Sequence, residues 1–444
     1  MRRSARGRAG ARAGAGPARG ADVNVGPISG ALSENIRGRG RGRTRGGLGA
    51  LLAGALVLVL TACAGNGAGT GAGTAAVGGG KEAGPSPTAS GPSRAAVTIA
   101  PGDGATAVAT SGALRVGASG GRLTEVVVKN PDGGRIAGRT SANGTVWTPS
   151  THLAAATTYT VRAVAQDAEG RAVTRDSRFT TLTPQRTFLG TFTPEDGSEV
   201  GVGMSFSLRF TRGITRPEAV ERAITITTEP AVEVAGHWFG NDRLDFRPEH
   251  YWKAGTKVTV ALNLDGVEGR EGVYGKQNRT VSFTIGRDQV SVVDAAAHTM
   301  KVTREGRTVR TIPVTTGAPG YATWNGRMVI TEKLRETRMN GDTVGYGGEY
   351  DIKDVPHAMR LSTSGTFIHG NYWGGDAFGN RNASHGCVGL RDVQGGWDEE
   401  APGRWFFENS LVGDVVVVEN SQDGTIAPDN GLNGWNMSWE EWTA

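Results

Sequence analysis

One hexapeptide of this chain recurs, and the recurrence sets the fold of nearly half of it. Ile99-Ala100-Pro101-Gly102-Asp103-Gly104 returns as Phe192-Thr193-Pro194-Glu195-Asp196-Gly197. Ala113-Leu114-Arg115-Val116 is matched by Ser207-Leu208-Arg209-Phe210, and Trp147-Thr148-Pro149 by Phe246-Arg247-Pro248. An alternating strand follows in each copy: Tyr159, Val161 and Ala163 in one, Val258, Val260 and Leu262 in the other. Both copies close on a Phe-Thr pair, at Phe179-Thr180 and Phe283-Thr284. Separations of 93 to 104 residues, period-two alternation and Asp-Gly or Glu-Gly turns predict two β-sandwiches, over 96–185 and 186–287.

The two modules look immunoglobulin-like, without the cysteine pair of antibody domains. Nothing in them converges as a chemical site, so they are expected to act as spacers.

Upstream, residues 1–62 read as a basic leader with a signal sequence. Leu48 to Leu60 is a run of 13 apolar or small uncharged residues. A spanning helix needs roughly 20 residues, whereas a signal-peptide core is shorter. The run ends in Leu60-Thr61-Ala62-Cys63, which looks like a bacterial lipobox and predicts acylation of Cys63 with cleavage just before it. Residues 63–95 are then the lipidated Cys and a Gly/Ala/Ser/Thr-rich flexible tether. Together they place the folded part on the extracytoplasmic face of the cell membrane, held by a lipid anchor. A sequence pI near 9.3 suggests nucleic acid, but residues 1–50 hold eleven arginines against Asp22 and Glu34, and the remainder is net acidic. The basicity belongs to the leader, and nucleic acid is excluded as a partner.

Residues 288–420 change character. Strands such as Val290-Ser291-Val292-Val293 and Val415-Val416-Val417-Val418 bracket turns at Glu305-Gly306 and Asn325-Gly326. The expectation is a mostly-β domain with one short helical segment within 392–409, followed by a C-terminal tail over 421–444. Here Ser384-His385-Gly386-Cys387 follows Phe367-Ile368-His369-Gly370, with Cys387 18 residues after His369. A thiol becomes a strong nucleophile near neutral pH when a base such as imidazole takes its proton. Gly386 lets backbone N–H groups approach a developing oxyanion. Read alone, the residues leave an inert buried cysteine open. A zinc site from His369, His385 and Cys387 lacks a fourth ligand, and no metal is expected.

Phe-Ile-His-Gly followed by Ser-His-Gly-Cys-Val resembles the L,D-transpeptidase family of bacterial cell-wall enzymes. The lipobox, the paired modules and the tail Gly434-Trp435-Asn436-Met437-Ser438-Trp439-Glu440-Glu441-Trp442 resemble its mycobacterial and actinobacterial type. The resemblance implies Cys387 as nucleophile, His369 as base and the Gly370 carbonyl as the group orienting that base. Because only a carbonyl is needed there, a Gly at that position loses nothing essential. It further implies an oxyanion hole in the backbone N–H groups of the His385–Cys387 turn, Gly386 and the neighbouring Ser384 included, with Tyr350 assisting and His385 structural or orienting substrate. Met339 and Trp373 would line the cleft. The family usually carries Asn or Arg two residues after the nucleophile; this chain has Gly389, so that polar contact is either missing or supplied by Arg391.

By the same resemblance the enzyme joins peptidoglycan stem peptides as donor and acceptor, forming 3→3 cross-links without a cofactor. Carbapenem-type β-lactams would acylate the same cysteine. An L,D-carboxypeptidase using water, and a wall-binding lipoprotein without activity, are the alternatives.

Overall fold

The computed structural model describes residues 91–345 and 347–444. The leader, the apolar run, Cys63 and most of the tether lie outside the described residues. Ser93–Ala95, read above as the end of the tether, already belong to the first module. Ser93 Oγ donates to the Arg171 carbonyl, the Arg94 N–H donates to Asp167, and Ala95 is buried.

Each repeat copy folds as an immunoglobulin-like sandwich. In the first, one sheet runs Ala96–Ala100, Arg115–Ser119, Val146–Pro149, Gly138–Thr140; the other runs Ala105–Val108, Ala172–Thr181, Thr158–Gln166, Arg122–Lys129. Val116, Trp147, Tyr159, Val161 and Phe179, the inward half of the alternation, form its core. The second copy repeats the plan with sheets built on Phe206–Phe210 beside Arg243–Arg247 and on Asn278–Ile285 beside Lys257–Asn263. The recurring Asp-Gly turn does the same work twice. Asp103 accepts from the Arg178 N–H at 2.7 Å and Asp196 from the Ser282 N–H at 2.8 Å, clipping each turn to its closing strand.

The third domain is a nine-stranded sheet that curls around its own core. Its spatial order is Gly326–Val329, Val415–Glu419, Gln289–Asp294, Thr299–Arg304, Arg307–Thr315, Val388–Arg391, Phe367–Asn371, Asp351–Arg360, Glu332–Asn340. Met300, Val314, Met359, Ile368, Leu390 and Val416 fill the interior, covered by Phe406 and Phe407 of the helix Pro402–Glu408. Glu305-Gly306 is the hairpin turn expected, both residues having positive φ. Asn325-Gly326 is not: Asn325 bonds the Ser421 and Asp423 carbonyls and leads into a strand paired with Val415–Glu419.

Residues 421–444 are a strap and not a tail. Asn433 donates to the Leu361 carbonyl and Asn436 to the Arg327 carbonyl, both in the third domain. Beyond them the Trp435 indole donates to the Gly203 carbonyl and the Trp442 indole to the Ala235 carbonyl, both in the second sandwich. Arg247 lies over the rings of Trp435, Trp439 and Trp442 at 4.8, 5.5 and 4.3 Å.

Candidate active site

The strands Phe367–Asn371 and Val388–Arg391 are parallel neighbours, and their register joins the two motifs. Ile368 faces Val388 and His369 faces Gly389, so Cys387 enters the sheet beside the strand that carries the histidine. The Cys387 thiol points at the Gly365 carbonyl, 3.8 Å away. Burial pushes this thiol up to about 11, against a small opposing pull from the backbone at Phe367.

His369 is 4% exposed and its ring stacks on Trp373, 5.7 Å between centroids. Nδ1 lies 2.8 Å from the Gly370 carbonyl, so it carries the hydrogen and leaves Nε2 as the acceptor. Burial lowers the imidazole below its ordinary pKa, opposed by that carbonyl and by Asp392. At neutral pH the resting pair is therefore thiol and neutral imidazole.

The turn before the cysteine is tied internally. Ser384 Oγ accepts from the Gly386 N–H at 3.2 Å and donates to the Cys387 carbonyl at 2.6 Å. Gly386 has φ of +103°, which a side chain would strain. His385 packs against Tyr321 and Tyr350, at 4.6 and 5.0 Å between centroids. Its Nε2 is 3.3 Å from Glu349, which also accepts from the Tyr321 hydroxyl at 2.8 Å. Ser384, His385, Gly386 and Tyr350 thus gather around Cys387. Tyr321 and Glu349, which sequence reasoning missed, fasten them.

Trp373 stands at a cleft of about 540 Å³ between Asp351–Asp354 and Tyr372–Trp373. Met339 is set one strand further out, paired with Ile352 of the cleft wall. The Arg391 guanidinium lies 5.3 Å over the Phe378 ring. The space left by Gly389 is occupied by Asn371, whose amide nitrogen stands 3.0 Å from where a Cβ would be. Asn371, two residues after His369, is the polar group beside that position.

Gly370 also makes room for a neighbouring carboxylate. A Cβ there would stand 2.3 Å from Asp392 Oδ2, and one at Gly403 would stand 2.2 Å from the same oxygen. The carboxylate wedged between the two glycines accepts from His357 Nδ1 at 2.8 Å, and both residues are buried. Nothing in the sequence marks these partners, which lie 35 positions apart.

A family model described as an L,D-transpeptidase catalytic domain matches residues 288–418, and one described as a bacterial Ig domain matches 105–268. The chain is 34% identical over 345 residues to L,D-transpeptidase 2 of Mycobacterium tuberculosis, covering 77% of this chain and 82% of that protein. It is 31% identical over 355 residues to L,D-transpeptidase 5 of the same species, covering 78% and 76%. A solved L,D-transpeptidase in complex with imipenem aligns at 28% identity over 52% of this chain and 97% of that one, with a TM-score of 0.43.

Proposed function

Because the chain belongs to the L,D-transpeptidase family, we propose that it forms 3→3 cross-links in peptidoglycan through a thioester on Cys387. The observation that carries this is the parallel register that sets Cys387 directly before the strand neighbouring that of His369, with Nε2 of the imidazole left to accept a proton.

The donor is a tetrapeptide stem. His369 Nε2 takes the Cys387 proton as sulfur attacks the carbonyl of the third residue, a diamino acid, at its L-centre. The backbone N–H groups of the His385–Cys387 turn are the donors for the oxyanion, and Ser384 Oγ, bonded to the Gly386 N–H, holds that turn in shape. When the tetrahedral species collapses, the C–N bond to D-alanine breaks and the imidazolium protonates the departing amine. An amine of a second stem then attacks the thioester, loses its proton to His369 and releases the thiol. No cofactor enters. A β-lactam ring carbonyl presents a comparable electrophile, and carbapenem-type compounds should acylate Cys387. Lipidation at Cys63 and a tether behind it would hold this chemistry at the outer face of the cell membrane.

The test is to incubate purified protein with tetrapeptide-containing muropeptides and weigh the products. Dimers with loss of D-alanine are expected. Tripeptides alone would make the enzyme an L,D-carboxypeptidase, and unchanged substrate would contradict catalysis. Cys387→Ala should remove both the products and the carbapenem adduct while leaving the fold intact.

A further inference from the structure

The buried pair behind the base is unexplained by packing alone. Asp392 Oδ2 accepts from His357 Nδ1 at 2.8 Å and Oδ1 from the Val393 N–H at 2.8 Å. Replacing a buried hydrogen-bonded pair of this kind with apolar residues of the same volume is often neutral or stabilising, so stability alone does not account for it. Three separate features converge to seat it. Gly370 on the strand of the base and Gly403 on the covering helix both lack the Cβ that would strike Oδ2. His357 holds φ of +51° inside the strand Asp351–Arg360, a conformation costly for a side-chain-bearing residue and concentrated at functional sites. The Asp392 N–H donates to the Asn371 carbonyl, fixing the carboxylate against the segment that holds His369.

We propose that Asp392 is a positioning residue for the base: held by His357 and admitted by Gly370 and Gly403, its carboxylate stabilises the imidazolium that His369 becomes when Cys387 gives up its proton. This rests on the reading of Cys387 and His369 given above. The peptide of Gly370, whose carbonyl orients Nδ1, lies between carboxylate and ring, so the action is electrostatic and through the backbone.

The other charged groups packed around the base are otherwise committed. Arg391 of the neighbouring strand lies over Phe378, and Arg404 of the helix pairs with Glu399 and Glu408. On the cleft wall, Asp354 accepts from Tyr372 and Gln394, and Asp351 pairs with Arg338, with Lys353 between them. The Cys387 thiol is neutral at rest. Asp392 is the carboxylate that raises the imidazole against its burial. Without that charge the imidazolium is less stable, so His369 titrates lower and accepts the thiol proton less readily.

The experiment uses the full chain and two readouts. With Cys387→Ala and labelled histidine, NMR titration of His369 should show Asp392→Asn lowering its midpoint by about one pH unit. With Cys387 present, the same substitution should slow carbapenem acylation roughly tenfold on the plateau. It should also move the acid limb of the pH profile down by the same amount. Gly370→Ala keeps both partners but pushes the carboxylate away, and should shift the midpoint in the same direction. It decides the matter should Asp392→Asn not fold. A folded variant with slower acylation but an unmoved midpoint and limb would make Asp392 merely structural and overturn the proposal. Failure of the unsubstituted enzyme to acylate at all would instead overturn the proposed function, which the titration does not depend on.

Discussion

The two sandwiches share an ancestral-looking plan yet are joined to their neighbours in opposite ways. The first meets the second through a thin polar seam. Thr110 Oγ1 donates to the Gly266 carbonyl at 2.7 Å, and His152 Nε2 lies 3.1 Å from the Asp265 carbonyl. Beside it opens a cleft of about 1040 Å³, and the core of the first sandwich closes on its own residues.

The second sandwich has no such closure. Its core runs on into Val329, Val415, Leu432 and Trp435. The Gly201 and Gly203 N–H groups donate to the Val412 and Gly413 carbonyls. A Cβ at Gly201 would stand 2.2 Å from the Asp414 backbone nitrogen, so the backbones meet there without a side chain between. Arg243 adds bonds to the Asp429 and Gly431 carbonyls of the strap. One sandwich is an arm, and the other is part of the enzyme's body.

The largest effect that could break this contrast is a cavity in each core. Trp435→Ala and Trp147→Ala should each cost about 3–5 kcal/mol. Scanning calorimetry should show the first lowering the joint transition of second sandwich and catalytic domain, with turnover lost on warming. The second should lower only the first sandwich's transition and leave turnover on soluble substrate unchanged. A single transition moved by both would erase the distinction.

Acid response should sharpen it. Burial pushes Asp414, at the second joint, up to about 6, against the Leu411 N–H and the charges of Arg287, Lys333 and Arg304. With the folded pKa above the unfolded one, this carboxyl's contribution is complete below about pH 4. It declines by up to ~3 kcal/mol as pH rises to about 6. Asp167 in the first sandwich has the opposite sign. Burial alone would raise it, but the Arg94 and Arg171 N–H groups and the Arg171 guanidinium hold it well below the usual carboxylate range. Its contribution is lost as pH falls below the unfolded value. Between pH 6 and 4 the joint transition should rise while the first sandwich's does not follow. Asp414→Asn should flatten the first trend.

The smallest effect is Thr110→Ala, which removes one seam hydrogen bond worth about 1 kcal/mol. Small-angle scattering should show a wider spread of arm orientations, with turnover on soluble muropeptides unchanged.

The contrast also marks what the sequence could and could not disclose. The repeat was legible because its Asp-Gly turns and alternating strands are local, and each copy needs the same clip at Asp103 or Asp196. The histidine and cysteine proposed as base and nucleophile were legible because each sits in a short contiguous motif, Phe367–Gly370 and Ser384–Cys387. The strap was not. Trp435 and Trp442 are buried singly against Arg247 and the carbonyls of Gly203 and Ala235, which leaves no period in residues 421–444. His357 and Asp392 stayed hidden for a related reason. A lone His in a strand and an Asp after it acquire meaning only when Gly370 and Gly403 let them meet.

The central claim is that catalysis needs the second sandwich and not the first. Its most direct measurement is turnover on soluble tetrapeptide muropeptides by a chain beginning at residue 186, beside the full protein and a chain beginning at residue 288. The chain from 186 should keep near-normal turnover. The chain from 288 should be unstable and largely inactive, its Val329, Val415 and Trp435 left without partners. Loss of most activity from a folded chain beginning at 186 would make the first sandwich part of the catalytic machinery and contradict the account.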